Sequence, residues 1–244
     1  MIKRLLVVAL VFTFNVCTAY AADDFSAIRS TLQRIVKDIP LDSIKATSID
    51  GLYEVQSHYD IIYFYPKGEI FFLGQLHSSD GKSITAATRD KVVERTVASL
   101  DLSKAIRSGS GKNVVIEFID PDCQTCRSTA EYWKSKSGVT RYSFLFPAST
   151  DDPEARRKSE WVLSQKDKTA ALDEVLSGKY DQALPEGVTD EGRNLFKEHL
   201  RNAEKAYVTG VPLFIVNNRL FLRPDIEAFE GALVEEGALQ AGVK

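Results

Sequence analysis

Cysteine is scarce in this chain: 244 residues hold three, at positions 17, 123 and 126. A framework of structural disulfides is therefore excluded. Long hydrophobic runs are missing too. The longest, from Leu5 to Phe14, falls short of the roughly 20 apolar residues that cross a bilayer as a helix. Histidine is equally rare, with only His58, His77 and His199. No second Cys-x-x-Cys exists to complete a tetrahedral zinc site, so a metal is not expected, and the histidines read as solvated or partly buried residues. Nor is there an excess of basic charge. Lys and Arg number 31 against 34 Asp and Glu, no basic stripe carries interleaved aromatics, and nucleic acid is excluded as a partner.

What is present begins with a leader. Lys3 and Arg4, the apolar stretch after them and the small-residue exit Ala19-Tyr20-Ala21 make residues 1–21 a secretory signal peptide. Its removal would discard Cys17 and place the remainder in an exported, oxidising compartment. What remains is longer than the 100 to 150 residues a single core usually organises, so two domains are expected.

From Phe25, Ile28, Leu32 and Ile35 at helical spacing, the first segment is a short amphipathic helix. Segments 51–55, 61–65 and 69–73, rich in Tyr, Ile and Phe, read as strands, with Pro66-Lys67-Gly68 as a hairpin turn. Residues 22–88 therefore form a small β-rich domain whose aromatic strands could pair with a second copy. Val93, Val97 and Leu100 mark a linker helix, and Ser108-Gly109-Ser110-Gly111 reads as a flexible hinge, giving a linker over 89–110. The remaining domain, 111–244, starts with a nearly continuous apolar strand from Lys112 to Ile119, as expected of a strand buried on both faces. A helix, a strand over 141–146, a helical insert, a hairpin around Asn217-Asn218 and a last helix from about Asp225 to Glu235 follow. The fold class is mixed: a small β-rich domain, then a sheet flanked by helices.

The chemistry points to Cys123-Gln124-Thr125-Cys126. A disulfide closing so small a loop contributes little to stability, so the pair reads as reactive. Cys123 sits where a helix begins, beside unpaired backbone amides and the positive end of the dipole, which favour a thiolate. It is the candidate nucleophile, and Cys126, one turn on, the candidate resolving sulfur. Glu117, six residues before Cys123 in an otherwise apolar strand, is a candidate proton acceptor for Cys126. No cofactor is needed for such exchange.

The strand, the Cys-Gln-Thr-Cys turn and helix, and Thr209-Gly210-Val211-Pro212 ahead of a hairpin resemble the thioredoxin superfamily, which implies a cis Pro212 facing the two cysteines. With Gly51, the 63–74 hairpin, Gly81, Arg141-Tyr142, Phe146-Pro147, Trp161 and Lys166-Asp167-Lys168, the chain further resembles the DsbC/DsbG family of periplasmic disulfide isomerases. That resemblance implies a thioredoxin-like catalytic domain with a helical insertion. It also implies a periplasmic homodimer joined through the N-terminal domains, misfolded exported proteins as clients, and an inner-membrane reductase of the DsbD type. Val211 departs from the Thr that isomerases carry before the proline and is closer to the oxidase DsbA. A thiol oxidase, and a holdase chaperone independent of its cysteines, are the competing expectations.

Overall fold

The computed structural model describes residues 25–149 and 151–234; the expected signal peptide, Cys17 and the end of the last expected helix lie outside them. The first helix, α1 (Ser26–Ile35), turns Ile28, Leu32 and Ile35 inward. They cover one face of an antiparallel sheet of β1 (Ser43–Ala46), β2 (Tyr53–Ser57), β3 (Asp60–Tyr65) and β4 (Ile70–Leu73), ordered as numbered. Ile44, Val55, Ile62 and Phe64 supply the sheet's side of this core. Burying each such side chain contributes about 1.5–3 kcal/mol. The Pro66–Gly68 turn closes the last hairpin as expected, with Glu69 in the left-handed region at φ 49°. Strand β4 lies at the sheet edge with Ile70, Phe71, Phe72 and Leu73 all exposed.

Helix α2 (Ile84–Ser99) begins five residues before the expected linker because the Ser83 hydroxyl caps it, accepting from the N–H of Ala86 at 3.1 Å. Its Val92 and Val93 pack together with Tyr59 from the turn between β2 and β3, with Phe118 and Phe144 from the second sheet, and with Ala203 and Ala206 at the end of a later helix, Asp190–Lys205. The Tyr59 hydroxyl donates to the Ala206 carbonyl at 3.0 Å, and the His58 ring stacks on Tyr207 with centroids 4.1 Å apart.

The expected hinge is not one. Ile106–Gly109 forms β5, which pairs antiparallel with β7 (Val139–Leu145). Its glycines serve close approach rather than freedom of movement. Gly109 has φ +73°, and a Cβ there would lie 2.2 Å from the Val139 carbonyl oxygen. At Gly111 a Cβ would lie 1.7 Å from the carbonyl carbon of Gly138. Only glycine permits the two backbones to come so near.

The second sheet has the order β5-β7-β6-β8-β9, with β6 (Asn113–Ile119) central, β8 at Leu213–Val216 and β9 at Arg219–Phe221. Strands β6 and β7 run parallel, joined through α3 (Gln124–Lys134), while β8 and β9 run antiparallel to their neighbours. Between β7 and β8 stand α4 (Pro153–Ser164), α5 (Lys168–Leu176) and α6 (Asp190–Lys205), and α7 (Ile226–Val234) follows β9. This is the thioredoxin-like topology with a helical insertion. Both faces of β6 are covered, as its apolar run requires. Val115 packs with Trp133 of α3, Ile119 with Cys126 and the α4–α5 pair, and Ile116 and Phe118 face α2 and α6.

Candidate active site at the Cys123 helix

The chain leaves β6 through Asp120-Pro121-Asp122 and enters α3 at Cys123, the N-cap residue. Asp120, 5 % exposed, shapes this entry. Its Oδ1 accepts from the N–H of Asp122 at 2.8 Å, its Oδ2 from the N–H of Ala148 at 2.7 Å, and its carbonyl from the N–H of Cys123 at 3.2 Å. The loops that follow β6 and β7 are thereby tied together, and Cys123 is held in an extended conformation at φ −76°, ψ 114°.

In that conformation Sγ of Cys123 takes the place of a capping oxygen, accepting from the N–H of Cys126 at 3.2 Å. A negative sulfur here meets an unpaired amide and the positive end of the helix. Cys123 is half-buried, whereas Cys126 is buried against Ile119, Leu145 and Leu172. Burial pushes the Cys126 thiol well above the ordinary range, with the neighbouring Cys123 sulfur acting in the same sense; a backbone hydrogen bond from Asp120 works against both. One sulfur is thus half-exposed at the start of the helix, and the other is enclosed and favoured as a thiol.

Val211 borders the same apolar cluster as Cys123, and the Val211–Pro212 peptide is cis. Glu117 requires a correction. It is buried, but it is not a lone carboxylate awaiting a proton: its Oε1 accepts from Arg141 Nη2 at 2.9 Å, Arg141 Nε at 3.2 Å and Ser143 Oγ at 2.5 Å. Arg141 and Ser143 sit at alternate positions of β7, beside Glu117 on β6, so the cross-strand partner that a single strand's sequence leaves out is present.

Four charged side chains, two of them distant in the chain from Cys123, also meet at the entry to α3. Arg127, one turn into the helix, donates to Asp181 through both Nη atoms at 2.7 Å, to Asp122 Oδ1 at 3.1 Å and to the Pro121 carbonyl at 3.0 Å. Lys158 of α4 donates to the same Asp122 Oδ1 at 2.6 Å and lies 3.6 Å from Asp181. Hydrogen bonding to Arg127 holds the Asp181 carboxyl below its ordinary range and raises the Arg127 guanidinium. An Asx pattern before a helix start could have signalled Asp120; nothing local singles out Lys158.

The histidines also depart from expectation in one case. His199 is fully buried, its Nδ1 accepting from the N–H of Leu145 at 2.8 Å and its Nε2 lying 2.8 Å from the Lys104 carbonyl. These partners fix the neutral ring with the proton on Nε2.

Residues 19–86 match the family described as disulfide bond isomerase protein N-terminal domain, DsbC_N. A probable thiol:disulfide interchange protein DsbC from Bordetella avium is 29 % identical over 157 residues, 63 % of this chain and 56 % of that protein. DsbC from Salmonella typhimurium is 22 % identical over 200 residues, 81 % of this chain and 80 % of its own length. Among solved structures, a disulfide interchange protein from Neisseria gonorrhoeae aligns with 54 % of this chain and 94 % of its own, at 27 % identity and a TM-score of 0.46. With a segment matching the DsbC N-terminal domain ahead of a thioredoxin-like domain, the chain is similar to the DsbC thiol:disulfide interchange proteins, and it spans little more than half the length of the Bordetella avium protein.

Proposed function

We propose that this protein is a periplasmic disulfide isomerase and reductase for misfolded exported proteins, with Cys123 as nucleophile and Cys126 as resolving sulfur. The observation that carries this reading is the asymmetry of the pair, one sulfur capping a helix and half-exposed, the other buried. The Cys123 thiolate attacks one sulfur of a client disulfide; an S–S bond forms to the client, and the other client sulfur leaves as a thiolate. If a client thiolate, either that one or one freed by exchange elsewhere in the client, attacks the client sulfur bonded to Cys123, a new client disulfide forms and Cys123 leaves as its thiolate. If rearrangement stalls, Cys126 loses its proton and attacks Cys123 Sγ, the client leaves reduced, and the enzyme is left as the Cys123–Cys126 disulfide. A reductase of the DsbD type would then return the dithiol. Val211 and Pro212 would line the client-facing side of the site.

The working unit in this reading is a homodimer joined through residues 22–88, with the thioredoxin-like domain beyond a linker. The exposed apolar edge at β4 and the N-terminal family match support it. Sedimentation should give twice the chain mass, and the I70K/L73K variant, which charges that edge, should give one chain mass. The activity test is recovery of ribonuclease from its scrambled-disulfide form in mildly reducing buffer. Recovery that disappears in C123S supports isomerisation. Failure to recover it, together with rapid oxidation of reduced ribonuclease, replaces the reading with a thiol oxidase.

A further inference from the structure

Lys158 is 2 % exposed, in a helix whose preceding residues Arg156 and Arg157 are exposed. Burying an ammonium group is costly, and a buried ion pair seldom returns more stability than well-packed apolar groups would. What distinguishes this pair is its position. Asp122 is peptide-bonded to Cys123, and its Oδ1 is the point at which Lys158 Nζ and Arg127 Nη2 converge. Arg127 is itself committed to Asp181 through two bonds. Unpaired, the Asp122 carboxylate would be a negative charge beside the sulfur that must itself become negative.

We infer that Lys158 is a positioning residue for the exchange reaction: reaching across from α4, it holds the Asp122 carboxylate and cancels its charge, so that the Cys123 thiolate forms beside a neutral pair. The inference rests on the exchange reading above. The sign of its effect is fixed by electrostatics. Removing the cation disfavours the thiolate and hence the dithiol form, shifting the equilibrium with glutathione toward the enzyme disulfide. Removing the carboxylate does the opposite. Two unit charges within several ångströms at a protein surface interact strongly enough for shifts of roughly threefold to tenfold in either direction.

The experiment measures that equilibrium, and the rate of Cys123 alkylation by iodoacetamide at fixed pH, in the full mature chain. K158M should move the equilibrium toward the disulfide and slow alkylation. D122N should move it toward the dithiol and speed alkylation, the double variant K158M/D122N should return near wild type, and K158R should match wild type. A merely structural role moves K158M and D122N the same way or not at all, and either result overturns the assignment while leaving the exchange reading intact. If K158M does not fold, D122N still decides: a shift toward the dithiol upholds the proposal and no shift overturns it. A wild-type protein that forms no reversible disulfide with glutathione overturns the exchange reading, and this assignment with it.

Discussion

The backbone N–H of Cys126 points at Sγ of Cys123 across 3.2 Å, while the Cys126 sulfur itself is buried. Two cysteines in one helical turn are therefore unequal in their surroundings. The C126S variant should accumulate client mixed disulfides, visible as slow-migrating species on non-reducing gels and lost on reduction. C123S should accumulate none, because the sulfur that remains is enclosed and protonated. Equal trapping by both variants would contradict the division of roles.

Acid should destabilise the protein through His199. Burial lowers its pKa from 6.5 to about 4. Between those values the unfolded chain binds a proton that the folded chain refuses, so stability rises with pH across this window. The contribution is complete above about pH 6.5, is lost as pH falls toward 4, and amounts to about 3 kcal/mol. Protonation would also set a second N–H against the Leu145 amide. Urea midpoints measured from pH 7 to 4 should fall for the wild type, with a clearly shallower fall in H199Q.

Gly111→Ala should cost several kcal/mol, or displace β5, because the new methyl would meet the Gly138 carbonyl carbon at 1.7 Å. Gly138→Ala is the control. Its φ is +74° but nothing lies within 4 Å, so the cost should be only about 1–2 kcal/mol. Thermal melts of the two variants would reveal the difference, and similar losses would refute the close-approach account.

Removing one partner of the Glu117–Arg141 pair leaves the other charge buried alone, a loss of about 3–5 kcal/mol. E117L should show it in urea unfolding, and the apolar pair E117L/R141M should recover much of it. Where E117L remains folded, resolution of a Cys123 mixed disulfide by Cys126 should keep its wild-type rate. A large slowing would restore Glu117 as the proton acceptor.

The features legible in the sequence were those whose cause is local. Strand β6 announces itself as an apolar run, and Cys123 as the residue before a helix, because burial on both faces and the capping position leave their marks within a few residues. Strand β1 does not. Of its four residues only Ile44 is buried, too little alternation to betray a strand. Gly109 and Gly111 are ambiguous for another reason: a glycine needed for freedom and one needed for closeness are the same letter until Val139 and Gly138 are placed opposite. Distance along the chain hides the rest. Lys158 meets Asp122 from 36 residues away and His199 meets Leu145 from 54, and neither pairing has a sequence period.

Because β5 is woven into the second sheet while Tyr59 and His58 grip the end of α6, the chain between the two sheets has little slack to give. Force applied to the N-terminal unit would be passed into the sheet that carries the cysteines rather than absorbed on the way. For anyone dissecting the protein, the lesson is practical. A catalytic fragment begun at Gly111 would lose the β5 edge strand and leave β7 with an unpaired flank open to other chains, so a cut made before Leu102 would keep the sheet whole.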